Sequence, residues 1–167
     1  MPRVSVLIDP DSPEKSCNGC RMCEMICAFT HEKSCNPAKS RIRIVSIPPL
    51  VDVPVLCRQC KNPPCAKDCP ANALMVHNGI VTLNGEKCIG CGKCAEVCPF
   101  GAISVHPANG SPLICDLCGG DPKCVKYCPI GVLKISRSTG RPYNRTKWAL
   151  KCAAPALKHW GLEGTST

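Results

Sequence analysis

The sequence has few aromatic side chains, no long apolar run and none of the familiar catalytic or nucleotide-binding motifs. Only 4% of the 167 residues are aromatic, so the chain offers no evident platform on which bases would stack. No apolar run approaches the roughly 18 residues of a membrane-spanning helix. No P-loop, G-x-G-x-x-G, Ser–His–Asp arrangement or paired-carboxylate signature stands out. These absences argue against nucleic-acid binding, against a membrane span and against substrate chemistry of those kinds.

A recognisable secretion signal is also missing. Met1-Pro2-Arg3 opens the chain, and no Sec or twin-arginine leader pattern follows. Free thiols in large number favour a reducing compartment. We therefore expect a soluble, cytoplasmic protein, and export together with a signal-bearing partner stays open.

Cysteine is abundant and is arranged in tight groups. The chain has 18 cysteines, and sixteen of them form four groups: Cys17, Cys20, Cys23, Cys27; Cys57, Cys60, Cys65, Cys69; Cys88, Cys91, Cys94, Cys98; and Cys115, Cys118, Cys124, Cys128. The third group reads C-I-G-C-G-K-C-A-E-V-C-P, which matches the bacterial [4Fe–4S] pattern C-x2-C-x2-C-x3-C-P. Three thiolates on one curled loop can converge on a single cube. The four groups therefore predict four [4Fe–4S] clusters.

The fourth cysteine of each group has a separate role in this pattern. In two-cluster ferredoxins it ligates the other cluster, so that paired runs exchange their last ligand. Pro70, Pro99 and Pro129 follow it in three groups, and proline helps to turn the chain out of the loop because it fixes φ and lacks an N–H donor. Ala28 stands at that position in group one.

Two other uses of so much cysteine are less consistent with the spacing. A disulfide scaffold exceeds about 8–10% cysteine too, but such frameworks do not repeat this motif. Structural zinc sites use two C-x2-C pairs that are well separated, whereas here the third and fourth cysteines follow at once.

The formal charge of +9 does not indicate nucleic acid. Four oxidised clusters with their thiolates would contribute about −8 and bring the protein near neutrality.

A strand–turn–strand segment follows each cysteine group, so the chain is a fourfold repeat. Asn78-Gly79 and Asn109-Gly110 are hairpin turn signals, and Ile47-Pro48-Pro49 is a third turn. We expect short helices after the fourth cysteines, as in Pro99-Phe100-Gly101-Ala102, and an opening strand Val4–Ile8 that pairs with the last strand. The predicted strands are Arg41–Ile47, Val53–Leu56, Ala73–Val76, Ile80–Leu83, Ala102–Val105, Pro112–Ile114, Val132–Ile135 and Tyr143–Leu150.

The layout over roughly residues 3–150 resembles the four-cluster ferredoxin-like electron-transfer subunits of molybdenum and tungsten oxidoreductases and some hydrogenases. Group one and its sequel, C-N-G-C-R-M-C-E-M-I-C-A-F-T-H-E-K-S-C-N-P-A-K-S-R-I-R-I, are similar to the small iron–sulfur subunit associated with tungsten-containing aldehyde oxidoreductases. The resemblance implies an α+β, ferredoxin-like fold of two interleaved halves. The inner half would span about 50–112, inserted in an outer half of about 1–49 plus 113–150, and 151–167 would form a C-terminal arm.

The resemblance also implies a ligand exchange that pairs group one with group four and group two with group three. The clusters would then be held by Cys17, Cys20, Cys23 and Cys128; by Cys57, Cys60, Cys65 and Cys98; by Cys88, Cys91, Cys94 and Cys69; and by Cys115, Cys118, Cys124 and Cys27.

The function that this implies is electron transfer without substrate chemistry. The chain would relay single electrons between a catalytic tungsten- or molybdenum-pterin subunit and a second redox partner, such as a flavin subunit that reduces NAD. A formate dehydrogenase or hydrogenase partner, a free soluble polyferredoxin and a self-assembling, electron-conducting filament are the alternatives. The sequence does not specify the partner's substrate, the direction of electron flow, the potentials or the stoichiometry.

Several residues outside the ligand set have open interpretations. Cys35 and Cys152 are too few for a fifth cluster and are predicted to be free, semi-buried thiols. The C-terminal arm is either a solvated tail or a docking arm anchored by tryptophan. The arginines beside group one either face a redox partner, raise the potential of the nearest cluster, or line a solvated strand edge; they are Arg21, Arg41 and Arg43.

The histidines and two aspartates are the remaining polar candidates. His31 is predicted to form hydrogen bonds at the surface, because covalent haem would need C-x2-C-H and ligation of iron is the less favoured alternative. His77 and His106 lie near hairpin turns and are predicted to be exposed. Asp116 and Asp121 are candidates for modulating the group-four cluster.

Overall fold

The computed structural model describes residues 5–8, 17–47 and 51–136. This part of the chain contains four two-stranded antiparallel sheets, four α-helices and two 3₁₀ helices, Pro37–Lys39 and Leu117–Gly120, so the predicted α+β class is confirmed. The predictions for Pro48-Pro49, Tyr143–Leu150, Cys152 and the C-terminal arm lie outside the described residues. In chain order the elements are β1 Ser5–Ile8, α1 Met22–Glu32, β2 Arg43–Ile47, β3 Val51–Val55, α2 Pro64–Lys67, β4 Leu74–His77, β5 Ile80–Leu83, α3 Lys93–Glu96, β6 Ser104–Val105, β7 Pro112–Leu113, α4 Lys123–Lys126 and β8 Leu133–Ser136.

Three of the four α-helices lie before the fourth cysteine of their group, and the prediction that short helices follow the fourth cysteines was wrong. Helices α2, α3 and α4 have four residues each, contain the third cysteine of their group and end two residues before the fourth. A proline follows that fourth cysteine, and the residue before a proline is disfavoured in helical conformation. Ala28 imposes no such stop in group one. Helix α1 therefore runs through Cys27 and reaches 11 residues.

Two hairpins form at predicted turn signals that lie within the described residues. Strands β4 and β5 are joined by Asn78 and Gly79, whose φ angles of 49° and 80° fit a type I′ turn. Strands β6 and β7 pair across Asn109-Gly110, although each has only two residues. Strands β2 and β3 pair over five residues each, with Arg43 opposite Val55.

The opening strand pairs with the first strand after group four. Strand β1 pairs antiparallel with β8, so that Ser5 lies opposite Ser136, and the predicted partner Tyr143–Leu150 lies outside the described residues. Strand β8 follows group four directly and contacts α4, which holds it in place beside the cysteine loop. Its free edge offers unpaired backbone groups, and β1 satisfies them.

Two buried clusters of side chains form the core. The first joins the beginning and end of the described chain: Cys23, Cys27, Ile42, Ile44, Leu56, Leu117, Cys124, Val132 and Leu133. The second is drawn from the middle: Cys57, Cys65, Leu74, Val81, Cys94, Ile103 and Ile114. Helix α1 correspondingly contacts α4, and α2 contacts α3. Cys115 packs against both clusters, so it lies where the two parts of the core meet.

Among the described helices, none combines the length and the apolar character that crossing a bilayer requires.

Candidate functional site

Three cavities are each lined by three cysteines of one group and the last cysteine of another. The first lies between Cys17, Cys20, Cys23 and Cys128. The second lies between Cys57, Cys60, Cys65 and Cys98. The third lies between Cys88, Cys91, Cys94 and Cys69. Chain segments that are far apart in sequence therefore contribute thiols to one small space.

The fourth set of thiols meets where α1 contacts α4. Cys27 lies close enough to Cys115, Cys118 and Cys124 for its charge to act on all three thiols. Cys23 and Cys27 are one helical turn apart on α1, so they lie on the same face of that helix. One helix thus presents a thiol to the first cavity and another to the group-four cysteines.

Backbone geometry curls the loops around these spaces. Gly19, between Cys17 and Cys20, has φ +70°, and a Cβ atom there would collide with the Asp52 carboxylate. Arg21 follows in the same left-handed region, with φ 56°. Glycine has no Cβ atom and adopts such a conformation at little cost, so Gly19 fits where a larger residue would not.

Backbone N–H groups hold several of the sulfurs. The N–H of Ala73 donates to Cys69 Sγ at 3.3 Å and that of Ala102 donates to Cys98 Sγ at 3.4 Å, which is the same relation in two groups. Burial acts to raise the pKa of Cys69, but the N–H groups of residues 71 to 74 outweigh burial and lower that pKa. Donation to a sulfur favours its thiolate form, the form that binds metal.

The buried thiols are not ionised by the protein alone. Burial, as the largest cause, raises the pKa of Cys23, Cys57 and Cys115 to about 12 and that of Cys65 to about 11. Burial raises the pKa of Cys124 as well. Four adjacent thiolates would repel one another unless cations lay between them. Metal ions would displace the protons and supply that positive charge.

The donor chemistry fits iron–sulfur clusters. Sets of four thiols in small, mostly apolar cavities are the ligands that iron–sulfur clusters and zinc select. Near Cys27, the buried Nε–H of Arg41 has no hydrogen-bond acceptor among the described atoms. A buried donor without an acceptor is costly, and the sulfides of a cluster would supply one.

A polar network surrounds Cys118 in the group-four loop. Arg41 Nη1 lies 2.7 Å from Asp116 Oδ2, and the Asp116 Oδ1 atom accepts the N–H of Cys118 at 3.0 Å. His31 Nε2 lies 3.5 Å from Asp116 Oδ1 and 3.7 Å from Cys118 Sγ. Asp116 therefore contacts the group-four loop, whereas Asp121 is exposed and pairs with Lys123; that either residue modulates the cluster stays a prediction.

Burial and the positive charge of Arg41 determine the ionisation of Asp116 and of His31. Burial acts to raise the pKa of Asp116, but Arg41 and the Cys118 N–H together lower it, so the carboxyl group is ionised at neutral pH. Burial, and then the Arg41 guanidinium, lower the pKa of His31. The imidazole is consequently neutral at pH 7.

Each arginine beside group one has a polar partner within the chain, although the Arg21 side chain is 52% exposed. Arg41 has a side chain that is 23% exposed and is paired with Asp116. Arg43 donates to the carbonyl oxygens of Pro37 at 2.8 Å and Ala38 at 2.9 Å. Arg21 Nη1 lies 3.5 Å from Glu24 Oε2. The alternative of a solvated strand edge therefore does not describe Arg41 or Arg43.

Two predictions about exposure were wrong. His106 is buried: its Nδ1 accepts the N–H of Ala108 at 3.1 Å, and its Nε2 lies 3.6 Å from a Glu32 oxygen. It closes the β6–β7 turn from within, which explains its burial. Cys35 is a free thiol, as predicted, but it is exposed and not semi-buried. His77 is exposed, as predicted.

Sequence reasoning missed two buried polar residues. Gln59 is 1% exposed; its Nε2 donates to Cys115 O at 2.6 Å and its Oε1 accepts the N–H of Val81 at 2.8 Å. Glu24 is also 1% exposed, and its Oε1 accepts the N–H of Ile44 at 2.8 Å. Neither residue stands out in the sequence, because both satisfy backbone groups of distant segments.

Comparison with known proteins agrees with this geometry. Two family profiles described as a 4Fe-4S binding domain match residues 81–104, which include group three, and residues 14–30, which include group one. Small hairpins around cysteine-lined cavities, together with these matches, define a ferredoxin-like iron–sulfur protein.

Curated relatives extend the similarity over more of the chain. The polyferredoxin-like subunit of the aliphatic sulfonate oxidoreductase of Pyrococcus furiosus is 44% identical over 119 residues, which is 70% of this chain and 66% of that protein. YsaA of Escherichia coli, whose name describes an electron transport protein, is 36% identical over 111 residues, 61% of this chain and 70% of that protein. Formate hydrogenlyase subunit 2 of Escherichia coli is 39% identical over 87 residues, 52% of this chain and 42% of that protein.

This chain belongs to the family of 4Fe–4S ferredoxin-like electron-transfer proteins. It covers slightly less than two thirds of the Pyrococcus protein and under half of the formate hydrogenlyase subunit. These similarities support an iron–sulfur electron-transfer role, and they do not determine the partner.

Proposed function

We propose that this chain is a non-catalytic subunit that carries single electrons through four [4Fe–4S] clusters between a catalytic oxidoreductase subunit and a second redox partner. The observation that carries the proposal is the sharing of thiols: each of three cavities takes its fourth cysteine from a different group. The contacts of Cys27 with the group-four cysteines support the same arrangement for the fourth set.

The ligands of the four proposed clusters follow from these sets. They are Cys17, Cys20, Cys23 and Cys128; Cys57, Cys60, Cys65 and Cys98; Cys88, Cys91, Cys94 and Cys69; and Cys115, Cys118, Cys124 and Cys27. The two core clusters support an outer half that is built around groups one and four and an inner half built around groups two and three. When bound, the clusters accept and release single electrons, and the chain shields them in part from water because at least one cysteine of each set is buried.

The exchange of ligands is testable by counting iron in a double variant. The wild-type chain, isolated without oxygen, should hold about sixteen irons, and Cys20→Ala and Cys128→Ala should each lose about four. If both cysteines serve one cluster, the double variant also loses only about four. A loss of about eight would assign Cys128 to another cluster and refute the exchange. Cys35→Ala, an exposed cysteine outside the groups, is the matched control and should lose none.

The catalytic partner that we propose is a tungsten- or molybdenum-pterin subunit, with a tungsten aldehyde oxidoreductase favoured. Group one and its sequel support this choice by their resemblance to the small subunit of that enzyme. A flavin subunit that reduces NAD is the proposed second partner. Relatives from a sulfonate oxidoreductase and a formate hydrogenlyase show that closely similar chains carry names from different chemistries.

Elemental analysis of the native complex would test the partner. The tagged chain is isolated without oxygen from its own host together with the proteins that bind it. Tungsten in stoichiometric amount supports the aldehyde oxidoreductase assignment, and molybdenum redirects it to another pterin enzyme. Nickel identifies a hydrogenase. Iron alone, with a single chain in solution, contradicts an obligate catalytic partner.

A further inference from the structure

One cysteine sulfur near the proposed fourth cluster faces a side chain from a different cysteine run. His31, near the end of α1, places Nε2 at 3.7 Å from Cys118 Sγ. By contrast, Cys57, Cys69 and Cys98 accept backbone N–H groups from residues shortly after them in sequence. The contact at Cys118 depends on packing across the fold, because 87 residues separate His31 from Cys118.

The neighbours of His31 determine which of its ring nitrogens carries the proton. Nε2 faces two acceptors, the Cys118 sulfur at 3.7 Å and the Asp116 Oδ1 atom at 3.5 Å. An unprotonated Nε2 would direct its lone pair at a carboxylate and a sulfur, which would be repulsive. The hydrogen therefore lies on Nε2, and the sulfur and the carboxylate share it.

Asp116 is itself held in position. Arg41 Nη1 lies 2.7 Å from Asp116 Oδ2, and the backbone N–H of Arg41 donates to Cys27 Sγ at 3.3 Å. Arg41 thus contacts both a group-one thiol and the carboxylate that orients His31. The His31 side chain is only 12% exposed, so water competes little for its proton. The three residues form one network, which we call the Cys118 network: Arg41, Asp116 and His31.

We propose that His31 donates its Nε2 hydrogen to the sulfur of Cys118, that Arg41 and Asp116 hold it there, and that this hydrogen bond makes the adjacent cluster easier to reduce. This inference rests on the proposed assignment of Cys115, Cys118, Cys124 and Cys27 to one cluster. Reduction adds a negative charge to the cluster, so a hydrogen bond to a ligand sulfur stabilises the reduced state more than the oxidised state. His31 is a positioning and tuning residue in this account, and no iron is bound by it.

The Asp116 carboxylate has the opposite effect on the same cluster. Its charge disfavours added electrons nearby, and the Arg41 guanidinium offsets that charge. Removal of the His31 donor and removal of the Asp116 charge should therefore shift the reduction potential in opposite directions. A residue that mattered only for packing would not produce this difference in sign.

The experiment compares reduction potentials in the iron-loaded, full-length chain. His31→Leu removes the donor, His31→Gln retains an N–H at similar reach, and Asp116→Asn removes the charge but keeps an oxygen for the Cys118 N–H. His77→Leu, at an exposed histidine of the β4–β5 hairpin, is the matched control. Potentials are read by redox titration followed by electron paramagnetic resonance, with iron, sulfide and circular dichroism measured on each variant. Cys118→Ala identifies the signal of the cluster concerned.

The expected result is a change in one cluster only. His31→Leu should lower the ratio of reduced to oxidised cluster at a fixed potential about tenfold, which is 59 mV for a one-electron couple. His31→Gln should recover part of that loss, Asp116→Asn should raise the potential, and His77→Leu should leave all potentials unchanged. The signal that moves should be the one that Cys118→Ala removes.

Three outcomes would overturn the inference, and they are distinguishable. An unchanged potential in a fully loaded His31→Leu variant would show that the hydrogen bond does not tune the cluster. Loss of that cluster's iron with the rest of the protein intact would show that His31 is needed to hold the cluster and does not merely tune it. Wild-type protein that binds no cluster at this position would refute the proposed ligand assignment, and this inference with it.

Discussion

Gln59 joins the two parts of the core, and its replacement should destabilise the protein substantially. Its side chain is 1% exposed, and its amide spans from the Cys115 carbonyl at 2.6 Å to the Val81 N–H at 2.8 Å. Methionine has a similar unbranched shape but offers no comparable hydrogen bond, so Gln59→Met would leave both backbone groups buried without partners. Lys61→Met, an exposed change two positions along the same loop, is the control.

The magnitude follows from the two groups that would lose their partners. Each buried, unsatisfied backbone group costs about 1–3 kcal/mol, so the sum is about 2–6 kcal/mol. The methionine thioether is less polar than the amide, so burying it costs less free energy. This difference offsets part of that sum. We therefore expect a loss of about 2–4 kcal/mol in the free energy of unfolding. If these bonds are broken in the transition state for unfolding, every 1.4 kcal/mol or so accelerates unfolding about tenfold.

Cluster loss provides the assay. Release of the clusters makes unfolding irreversible, so the useful quantity is a rate. The iron-loaded protein is mixed with guanidinium without oxygen, and the decay of the visible cluster absorbance is followed. Gln59→Met should decay at least tenfold faster than Lys61→Met, which should match the wild type. Equal rates for the two variants would refute the argument that the Gln59 amide stabilises the junction at Cys115.

Three further predictions concern other parts of the chain. Gly19→Ala should reduce the iron content of the first cavity by up to about four atoms, because a Cβ atom there meets the Asp52 carboxylate at a φ of +70°; full iron content would contradict this. In the iron-loaded protein, Cys35→Ser should remove one thiol that reacts rapidly with a thiol reagent, because Cys35 is exposed and free; an unchanged count of fast thiols would contradict its exposure. The apparent affinity of the apoprotein for iron should rise with pH, because iron displaces thiol protons. Burial raises the pKa of Cys57 and Cys115 from 9.0 to about 12, so the rise should continue beyond pH 9.0; chelator competition that levels off there would contradict it.

Local spacing and turn chemistry account for the parts that were predictable from sequence. The pattern C-x2-C-x2-C-x3-C-P identifies the cluster loops because it is a local geometric requirement. Asn78-Gly79 identifies a hairpin because both residues readily adopt positive φ. The ending of helices α2 to α4 was also implicit in Pro70, Pro99 and Pro129, although the helices were predicted on the wrong side of those residues.

Contacts between distant segments were beyond the reach of a single sequence. The pairing of β1 with β8, the burial of His106 and the two hydrogen bonds of Gln59 each join residues that no local pattern relates. His31 illustrates the same limit, because its environment is set by residues more than 80 positions further along. Family resemblance supplied the expected pairing of cysteine groups, which spacing alone left open.

The unbroken helix α1 fixes the spacing and the relative direction of two cysteines, Cys23 and Cys27. Cys23 and Cys27 are separated by one turn, a rise of about 6 Å, and each serves a different set of thiols. One residue inserted between them would rotate the second thiol by about 100° and turn it away from its set. Through group one, the spacing of the two proposed outer clusters can therefore change only in whole helical turns. In the three runs that end before a proline the fourth cysteine lies beyond the helix, so its distance from the third cysteine can change one residue at a time.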